Sequence, residues 1–145
     1  MDKKNVLFLC TGNSARSQIA EALLRKYASD RFRVYSAGLD PKGVSPLTVE
    51  VMDEIGLDIR QQTSDPIKKY MMKQSFRYVI TVCAHADEQC PQALWHMGEK
   101  LHWPFDDPAQ AEGTHAEQLA MFRRVRDEID AKIRAWMATL EPIAE

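Results

Sequence analysis

Cysteine is scarce in this chain of 145 residues, which contains only Cys10, Cys83 and Cys90. An odd number of cysteines, with no signal peptide ahead of them, argues against a framework of structural disulfides. In a reducing cytosol such residues are core filler, metal ligands or reactive thiols.

Long hydrophobic runs are also missing. The longest apolar stretch near the start covers residues 6–10, which is too short for a signal-peptide core. No segment approaches the length of a membrane span. We therefore expect a cytoplasmic protein with no membrane partner.

Neither sign of charge is in excess. The formal net charge is −2 and the sequence pI is about 6.1, and both signs are interspersed along the chain. No basic surface for nucleic acid is indicated. The length suits one domain, so we expect residues 1–145 to form a single, monomeric domain without linkers or repeats.

Strand-like and helix-like segments alternate along the chain. Apolar and β-branched runs predict strands at residues 5–10, 33–37, 78–82 and 100–105. Periodic apolar residues and turn signals predict helices at residues 16–28, from 46 up to Gly56, 65–72 and 116–139. This alternation predicts an α/β domain with a parallel sheet. Cys10, Cys83 and the Asp106-Asp107 pair all follow strands, so they should share the ligand-binding edge of the sheet.

The segment CTGNSARS, residues 10–17, connects the first strand to the first helix. Backbone N–H groups and the helix dipole at such a junction favour a bound anion. Gly12 is expected to supply the backbone freedom of a tight cradle, and the Arg16 fork can hold two oxygens of a tetrahedral oxyanion. The predicted substrate-binding residues are Thr11, Gly12, Asn13, Ser14, Ala15 and Arg16.

Cys10 is the predicted nucleophile of this loop. The same field should lower the pKa of its thiol and favour the thiolate, which is the reactive form. Ser17 can donate a hydrogen bond to the sulfur. A bare Cys-x5-Arg pattern is weak, because a strand-end cysteine and an unrelated arginine produce it by chance. The preceding strand, the following helix and the loop glycine favour the catalytic interpretation.

Residues 6–21, VLFLCTGNSARSQIAE, resemble the opening of the low-molecular-weight tyrosine phosphatase superfamily. They are more closely similar to the thioredoxin-coupled arsenate reductases of that fold. The likeness continues through residues 36–38, 63–66, the Cys83/Cys90 pair and residues 105–108. The resemblance implies a three-layer α/β fold, with a four-stranded parallel sheet flanked by helices on both faces.

Cys83 and Cys90 are separated by seven positions, which is about two helical turns and roughly 10 Å of rise. If a regular helix joined them, both thiols would lie on one helix face. A disulfide requires Cα atoms within about 7 Å, so that helix would have to unwind before the pair could bond.

The resemblance implies a relay of these thiols. Cys10 attacks arsenate, Cys83 then attacks Cys10 and releases arsenite, and Cys90 attacks Cys83. The resulting Cys83–Cys90 disulfide is reduced by thioredoxin or another dithiol reductant. Two alternatives for the pair are inert buried thiols and a zinc site that uses Cys83, His85 and Cys90, a spacing that matches no common zinc pattern.

The resemblance also assigns a general acid, which is the aspartate directly before proline. Here that residue is Asp107, with Asp106 as the alternative, and it would protonate the oxygen that leaves. An Asp-Pro turn without any chemical role is the other interpretation.

Two rival functions remain at this stage. One is a phosphatase acting on phosphotyrosine or small phosphates, and the other is an oxyanion or metal sensor without turnover. Phosphotyrosine phosphatases of this fold usually carry aromatic residues after Asp-Pro and a second cysteine in the loop. This chain has residues 109–113, AQAEG, and Ala15 at those places.

Some relatives bind potassium behind the loop. Oxygen-bearing side chains suited to a hard cation occupy the matching positions, which are Asn13, Glu21, Ser36, Thr63 and Asp65. The alternative is a hydrogen-bond network without metal. We expect no tightly bound cofactor apart from this ion.

Overall fold

A computed structural model describes residues 3–71 and 73–140. The described part of the chain contains a β-sheet, helices and short 3₁₀ turns. The strands are β1 Lys4–Cys10, β2 Phe32–Gly38, β3 Tyr78–Thr81 and β4 Glu99–His102. The helices are α1 Arg16–Ala28, α2 Pro46–Asp53, α3 Ala84–Gln89 and α4 His115–Thr139.

All four strands are parallel and lie in one sheet in the order β2-β1-β3-β4. Residues 6–9 of the central strand β1 have no exposed surface. Because successive residues of a strand point to opposite faces, both faces of the sheet are covered at β1. The predicted α/β fold with a four-stranded parallel sheet is therefore confirmed.

The register of the strands brings their carboxyl ends to one edge of the sheet. Cys10 at the end of β1 pairs with Gly38, and Leu9 pairs with Thr81 of β3. Thr81 in turn pairs with His102 at the end of β4. The loops that follow these strands carry the predicted site residues.

The structure corrects several predicted elements or boundaries. The helix expected at residues 65–72 is a single 3₁₀ turn at Ile67–Lys69, because so short a segment cannot offset the entropy of helix nucleation. Met72 lies outside the described residues. Helix α2 ends at Asp53 and not at Gly56, which adopts a positive φ in the following turn. Strand β3 ends at Thr81, one residue before the predicted end at residue 82.

Strand β4 covers Glu99–His102 and not residues 100–105. The Trp103 amide still donates to the Thr81 carbonyl, at 2.8 Å, but Pro104 has no N–H to continue the ladder.

Helix α4 packs along the apolar stripe that its periodicity predicts, with Phe122, Val125, Ile129 and Ile133 all buried. It begins with a capping box between Thr114 and Glu117. Within residues 3–71 and 73–140, no helix has the combination of length and apolar character that a membrane crossing requires.

Candidate active site

The loop between β1 and α1 surrounds the sulfur of Cys10. This cysteine is 3 % exposed. The Asn13 amide donates a hydrogen bond to Sγ at 3.0 Å, and Ser17 Oγ lies 2.9 Å from it. Helix α1 begins after Ala15, which has no side-chain group to cap it. Ala15 therefore supplies no side-chain acceptor to the first amides of the helix, and this position suits an anion held in the loop.

The side chain of Asn13 connects this loop to neighbouring segments through hydrogen bonds. Its side-chain Oδ1 accepts from the Asp65 amide at 2.8 Å, and its Nδ2 donates to Ser17 Oγ at 2.8 Å and to Ser36 Oγ at 3.0 Å. Because Ser17 Oγ accepts from Asn13, its own hydrogen is available to donate to Cys10. The donors that the loop presents to the sulfur therefore include the hydroxyl of Ser17 and the backbone amide of Asn13.

The special backbone conformation belongs to Asn13 and not to Gly12, so the prediction for Gly12 is wrong in this respect. Asn13 has φ +48 and is fully buried, while no positive φ is found at Gly12. Asparagine tolerates the left-handed region better than most residues do, because its side chain bonds to nearby groups. That tolerance was the available signal in the sequence.

Gly38, at the end of β2, allows the loop to approach the sheet closely. A Cβ at this position would lie 2.6 Å from the Thr11 carbonyl oxygen and 2.9 Å from the Asn13 Cβ. The chain after Gly38 then supports the loop, since the Leu39 amide donates to the Cys10 carbonyl at 3.1 Å. Sequence reasoning placed Gly38 at a strand end but did not assign it this role.

The expectation of a lowered pKa at Cys10 is wrong for this structure. Burial raises the pKa of the thiol above its usual value. The hydrogen bonds from Ser17 and Asn13 and the charge of Arg16 act in the opposite direction but do not outweigh the burial. Without a bound anion, burial therefore favours the thiol form of Cys10 over the thiolate.

Arg16 connects the loop to the segment that carries the predicted acid. Its Nη1 donates to the Phe105 carbonyl at 3.0 Å, and its Nη2 lies 3.6 Å from Asp107 Oδ2. Asp107 also accepts from the Ala109 amide at 3.0 Å, which orients its carboxylate. The neighbouring Asp106 is directed elsewhere and pairs with Arg124 of α4 at 2.9 Å. Of the two aspartates, Asp107 is the one beside the loop.

Cys83 lies against the same loop from the neighbouring strand. It is the N-cap of α3, where its sulfur accepts from the Ala86 amide at 3.4 Å. Thr11 Oγ1 lies 3.4 Å from this sulfur. The cysteine is 8 % exposed, so the structure brings a second buried thiol into contact with the loop around Cys10.

Cys90 follows α3 and has an extended backbone, with φ −68 and ψ 117. The two cysteines therefore flank a six-residue helix and do not lie on one helix face as the spacing predicted. A helix does separate them, and all three cysteines are free thiols. Burial of the half-buried Cys90 raises the pKa of its thiol to about 11.

A polar cluster beside α3, which includes His102, was not predicted from the sequence. His102 lies in β4, and its Nδ1 is 2.8 Å from Thr81 Oγ1. Asp87 of α3 and Lys100 of β4 join the same cluster, with 2.8 Å between Asp87 Oδ1 and Lys100 Nζ. The only signal in the sequence was an aspartate between the two cysteines, because the contact depends on the register of β3 and β4.

The positions proposed for potassium do lie together behind the loop. Ser36 donates to Glu21 at 2.5 Å, and Thr63 donates to Asp65 at 2.8 Å. Four of the five line a surface cavity of about 410 Å³, namely Glu21, Ser36, Thr63 and Asp65.

The charge balance at this position does not favour an added ion. Arg25 Nη2 already lies 2.6 Å from Glu21 Oε2 and donates to the Val34 carbonyl at 2.7 Å. The guanidinium thus neutralises the carboxylate that a potassium ion would need. The donor atoms are of the right kind, while Arg25 already supplies a positive charge to Glu21, so potassium binding at this site stays a prediction.

The zinc alternative finds no support in residues 3–71 and 73–140. Within those ranges, no three His, Cys, Asp or Glu side chains come together in a way that would hold a metal ion.

Known proteins of one family match this chain over nearly its full length. The family model described as low molecular weight phosphotyrosine protein phosphatase matches residues 5–143. The arsenate reductase of Halalkalibacterium halodurans is 50% identical over 139 residues, which are 96% of this chain and 99% of the relative.

Solved structures give the same result. An arsenate reductase in the phosphate binding state superposes with a TM-score of 0.79 at 30% identity, covering 95% of this chain and 99% of that chain. The thioredoxin-dependent arsenate reductase of Corynebacterium glutamicum superposes with a TM-score of 0.70 at 30% identity, covering 94% of this chain and 61% of that chain. This chain therefore belongs to the low molecular weight phosphotyrosine protein phosphatase family, in the group that includes the arsenate reductases.

Proposed function

We propose that this protein reduces arsenate to arsenite through the thiols Cys10, Cys83 and Cys90, with thioredoxin or another dithiol protein as the electron donor. The observation that carries the proposal is the contact of Cys83 with the loop residue Thr11, at 3.4 Å. This contact holds a second thiol against the loop that surrounds Cys10. Hydrolysis of a phosphoenzyme needs only water, whereas reduction needs that second thiol.

The first step joins Cys10 to arsenic. The loop amides from Thr11 to Arg16 and the Arg16 guanidinium bind the tetrahedral oxyanion. The arsenate dianion is itself a base and takes the proton of the Cys10 thiol. The sulfur then attacks arsenic, a sulfur–arsenic bond forms, and one oxygen leaves as water after protonation by Asp107.

The second step transfers two electrons. Cys83 loses its proton and attacks the sulfur of Cys10, so that a Cys10–Cys83 disulfide forms. The sulfur–arsenic bond breaks, and its electron pair stays on arsenic. Arsenic is thereby reduced from the +5 to the +3 state and leaves as arsenite, while two thiols are oxidised to one disulfide. The Thr11 hydroxyl stabilises the Cys83 thiolate by donating a hydrogen bond to it.

The third step is a thiol–disulfide exchange. Cys90 attacks Cys83, the Cys83–Cys90 disulfide forms and Cys10 leaves as a thiolate. Since six helical residues separate the two cysteines, α3 has to unwind for this bond to form. Unwinding also carries the disulfide outward, where an external dithiol can reduce it.

A weak phosphatase activity is a second function that one observation favours. Cys10, Arg16 and Asp107 are assembled around the loop as a phosphate ester would require. The residues after Pro108 offer no aromatic ring to a phosphotyrosine, so small phosphate esters are the substrates we expect.

The test is arsenate-dependent oxidation of NADPH in the presence of thioredoxin and thioredoxin reductase. Wild type should turn over, and Cys10→Ser, Cys83→Ser and Cys90→Ser should not. In a parallel assay, hydrolysis of a small phosphate ester should survive Cys83→Ser and be lost in Cys10→Ser. The proposal fails if wild type does not reduce arsenate or if Cys83→Ser retains multiple turnovers.

A further inference from the structure

Helix α3 is tied to the sheet by four polar side chains from three elements. We call this cluster the α3 latch, and it consists of Thr81, Asp87, Lys100 and His102. Asp87 Oδ1 is its centre, at 2.8 Å from Lys100 Nζ, 3.0 Å from Thr81 Oγ1 and 3.8 Å from His102 Nδ1.

Lys100 holds the backbone of the helix as well as a side chain. Its Nζ lies 3.2 Å from the carbonyl oxygen of Asp87. This carbonyl belongs to the last turn of α3, whose carbonyls have no partner within the helix. A positive charge at that end also complements the helix dipole. Lys100 therefore stabilises the helical state of the segment itself.

The latch is partly shielded from solvent, because the side chains of Asp87, Lys100 and His102 are each about 30 % exposed. The hydrogen bond from Lys100, assisted by that from Thr81, lowers the pKa of the Asp87 carboxyl, while the nearby His102 adds a smaller effect in the same direction. Asp87 is thus charged across the neutral range, and its charge balances that of Lys100.

The charges of both members of this ion pair affect the pKa of the Cys90 thiol. The charge of Lys100 lowers the pKa of the Cys90 thiol, whereas the charge of Asp87 raises it. Both effects are smaller than that of burial, which keeps Cys90 a thiol while α3 is folded. Unwinding of α3, which the proposed relay requires, would separate Asp87 from Lys100 and leave the lysine in β4 without that counter-charge.

We propose that Asp87 and Lys100 are positioning residues for the last step of the relay. They hold α3 folded until Cys83 has been oxidised, and Lys100 then exchanges Asp87 for the thiolate of Cys90. This inference rests on the proposed function, since it assigns a role only within a Cys83–Cys90 exchange.

Atoms and electrons balance in this step. Cys90 gives up its proton to solvent and attacks the Cys83 sulfur of the Cys10–Cys83 disulfide. The Cys83–Cys90 bond forms, the Cys10–Cys83 bond breaks, and Cys10 leaves with the electron pair and takes up a proton. One disulfide replaces another, so no outside oxidant or reductant is consumed.

The first experiment measures the reduction potential of the Cys83–Cys90 couple. Protein is equilibrated with mixtures of reduced and oxidised dithiothreitol, and the disulfide is quantified by mass spectrometry of peptides. Asp87→Asn and Lys100→Met release the helix, so each should favour the disulfide by ~10-fold, which is about 30 mV more negative. Glu88→Gln, the adjacent acid on α3, and Lys68→Met are the matched controls and should leave the potential unchanged.

The double variant Asp87→Asn/Lys100→Met should shift the potential by less than the sum of the two single variants, because both changes remove the contact between these side chains. Lys100→Arg keeps the charge and should restore most of the wild-type potential. Equal potentials for Asp87→Asn and Glu88→Gln would overturn the latch.

A second measurement separates positioning from mere loosening of the helix. In a Cys10→Ser/Cys83→Ser background, Cys90 is the only thiol, and its alkylation rate is compared at one pH below its pKa. Removing the negative Asp87 should make Cys90 several-fold more reactive than removing the positive Lys100. Equal rates in the two variants would show a purely structural effect and overturn the role given to Lys100.

These outcomes are distinguishable from failure of the proposed function. If wild type forms no Cys83–Cys90 disulfide in any buffer, the relay itself is wrong. If wild type forms it and the variants do not alter its potential, the relay stands and the latch alone is wrong.

Discussion

Thr11 and Cys83 are 72 positions apart in the chain, yet the hydroxyl of one lies 3.4 Å from the sulfur of the other. Thr11 belongs to the loop that surrounds the nucleophile, and Cys83 begins the helix that leads to Cys90. The contact therefore joins the loop around Cys10 to the segment that carries Cys83 and Cys90.

Replacing Thr11 with valine should slow the attack of Cys83 on Cys10 by about 10-fold, since one hydrogen bond to a thiolate contributes roughly 1.5 kcal/mol. Arsenite release in a single turnover, measured by quenched flow, checks this. Thr139→Val at the end of α4 is the control. An unchanged rate of arsenite release in Thr11→Val would show that the contact has no catalytic effect.

Asp107 and Asp106 are adjacent in sequence but face different partners, which makes them a matched pair. Asp107→Asn should lower kcat for arsenate by about 10²-fold or more, because the leaving oxygen loses its acid. Asp106→Asn removes a surface ion pair with Arg124 and should leave kcat within about 2-fold of wild type. Equal losses in both variants, measured by NADPH oxidation, would contradict the assignment.

Asn13 combines a left-handed backbone with three side-chain hydrogen bonds in a fully buried position. Asn13→Ala should lower the free energy of unfolding by about 2–4 kcal/mol, because it strains the backbone and leaves the Asp65 amide without its acceptor. Asn13→Gly relieves only the backbone strain and should be the less destabilised variant. Urea unfolding of the two variants separates the contributions, and equal losses would rule out a backbone effect.

Arg25 holds the charge that a potassium ion would otherwise supply to Glu21. In Arg25→Gln we expect a higher Tm in potassium chloride than in sodium chloride of equal ionic strength, because Glu21 is left without a cation. Wild type and the surface control Arg60→Gln should show no such difference. A potassium-specific shift of equal size in wild type would show that the ion binds beside Arg25.

Glu54 anchors α2 to α4 through Arg123 at 2.7 Å and Arg126 at 2.9 Å. The hydrogen bond from Arg123, followed by that from Arg126, lowers the pKa of Glu54 from 4.5 to about 2. A carboxyl whose pKa is lower in the folded state stabilises the fold above its unfolded pKa. That contribution should be present above about pH 4.5 and disappear as the pH falls toward 2.

Urea unfolding at a series of pH values tests this. In Glu54→Gln the free energy of unfolding should be lower at neutral pH, and its decline in acid should be shallower than in wild type. Glu112→Gln, an exposed acid in a loop, should follow the wild-type profile. A Glu54→Gln profile parallel to that of wild type would contradict the linkage.

Local sequence determined most of the elements. The apolar run of β1 predicted a strand covered on both faces, and the structure has such a strand. The periodic apolar residues of α1 and α4 likewise predicted those helices to within one residue. The segment after Asp65 was less predictable, and Ile67–Lys69 forms a single 3₁₀ turn, because so short a segment does not offset the entropy of helix nucleation.

The chemical types of the site were also visible in the sequence, because a nucleophile, an arginine fork, an acid and a thiol pair each have a recognisable residue pattern. By itself the sequence determined that a cysteine in a loop suited to an oxyanion follows the first strand, and that two further cysteines follow the third strand.

Only the tertiary structure decided how these groups act on one another. Packing buries Cys10 and raises its pKa, directs Asp107 and not Asp106 to Arg16, and brings Cys83 against Thr11. The pairing of β3 with β4 sets Lys100 against Asp87. These contacts join residues far apart in the chain, and the raised pKa of Cys10 is an effect of desolvation. Contacts and desolvation alike depend on where the folded strands place the side chains.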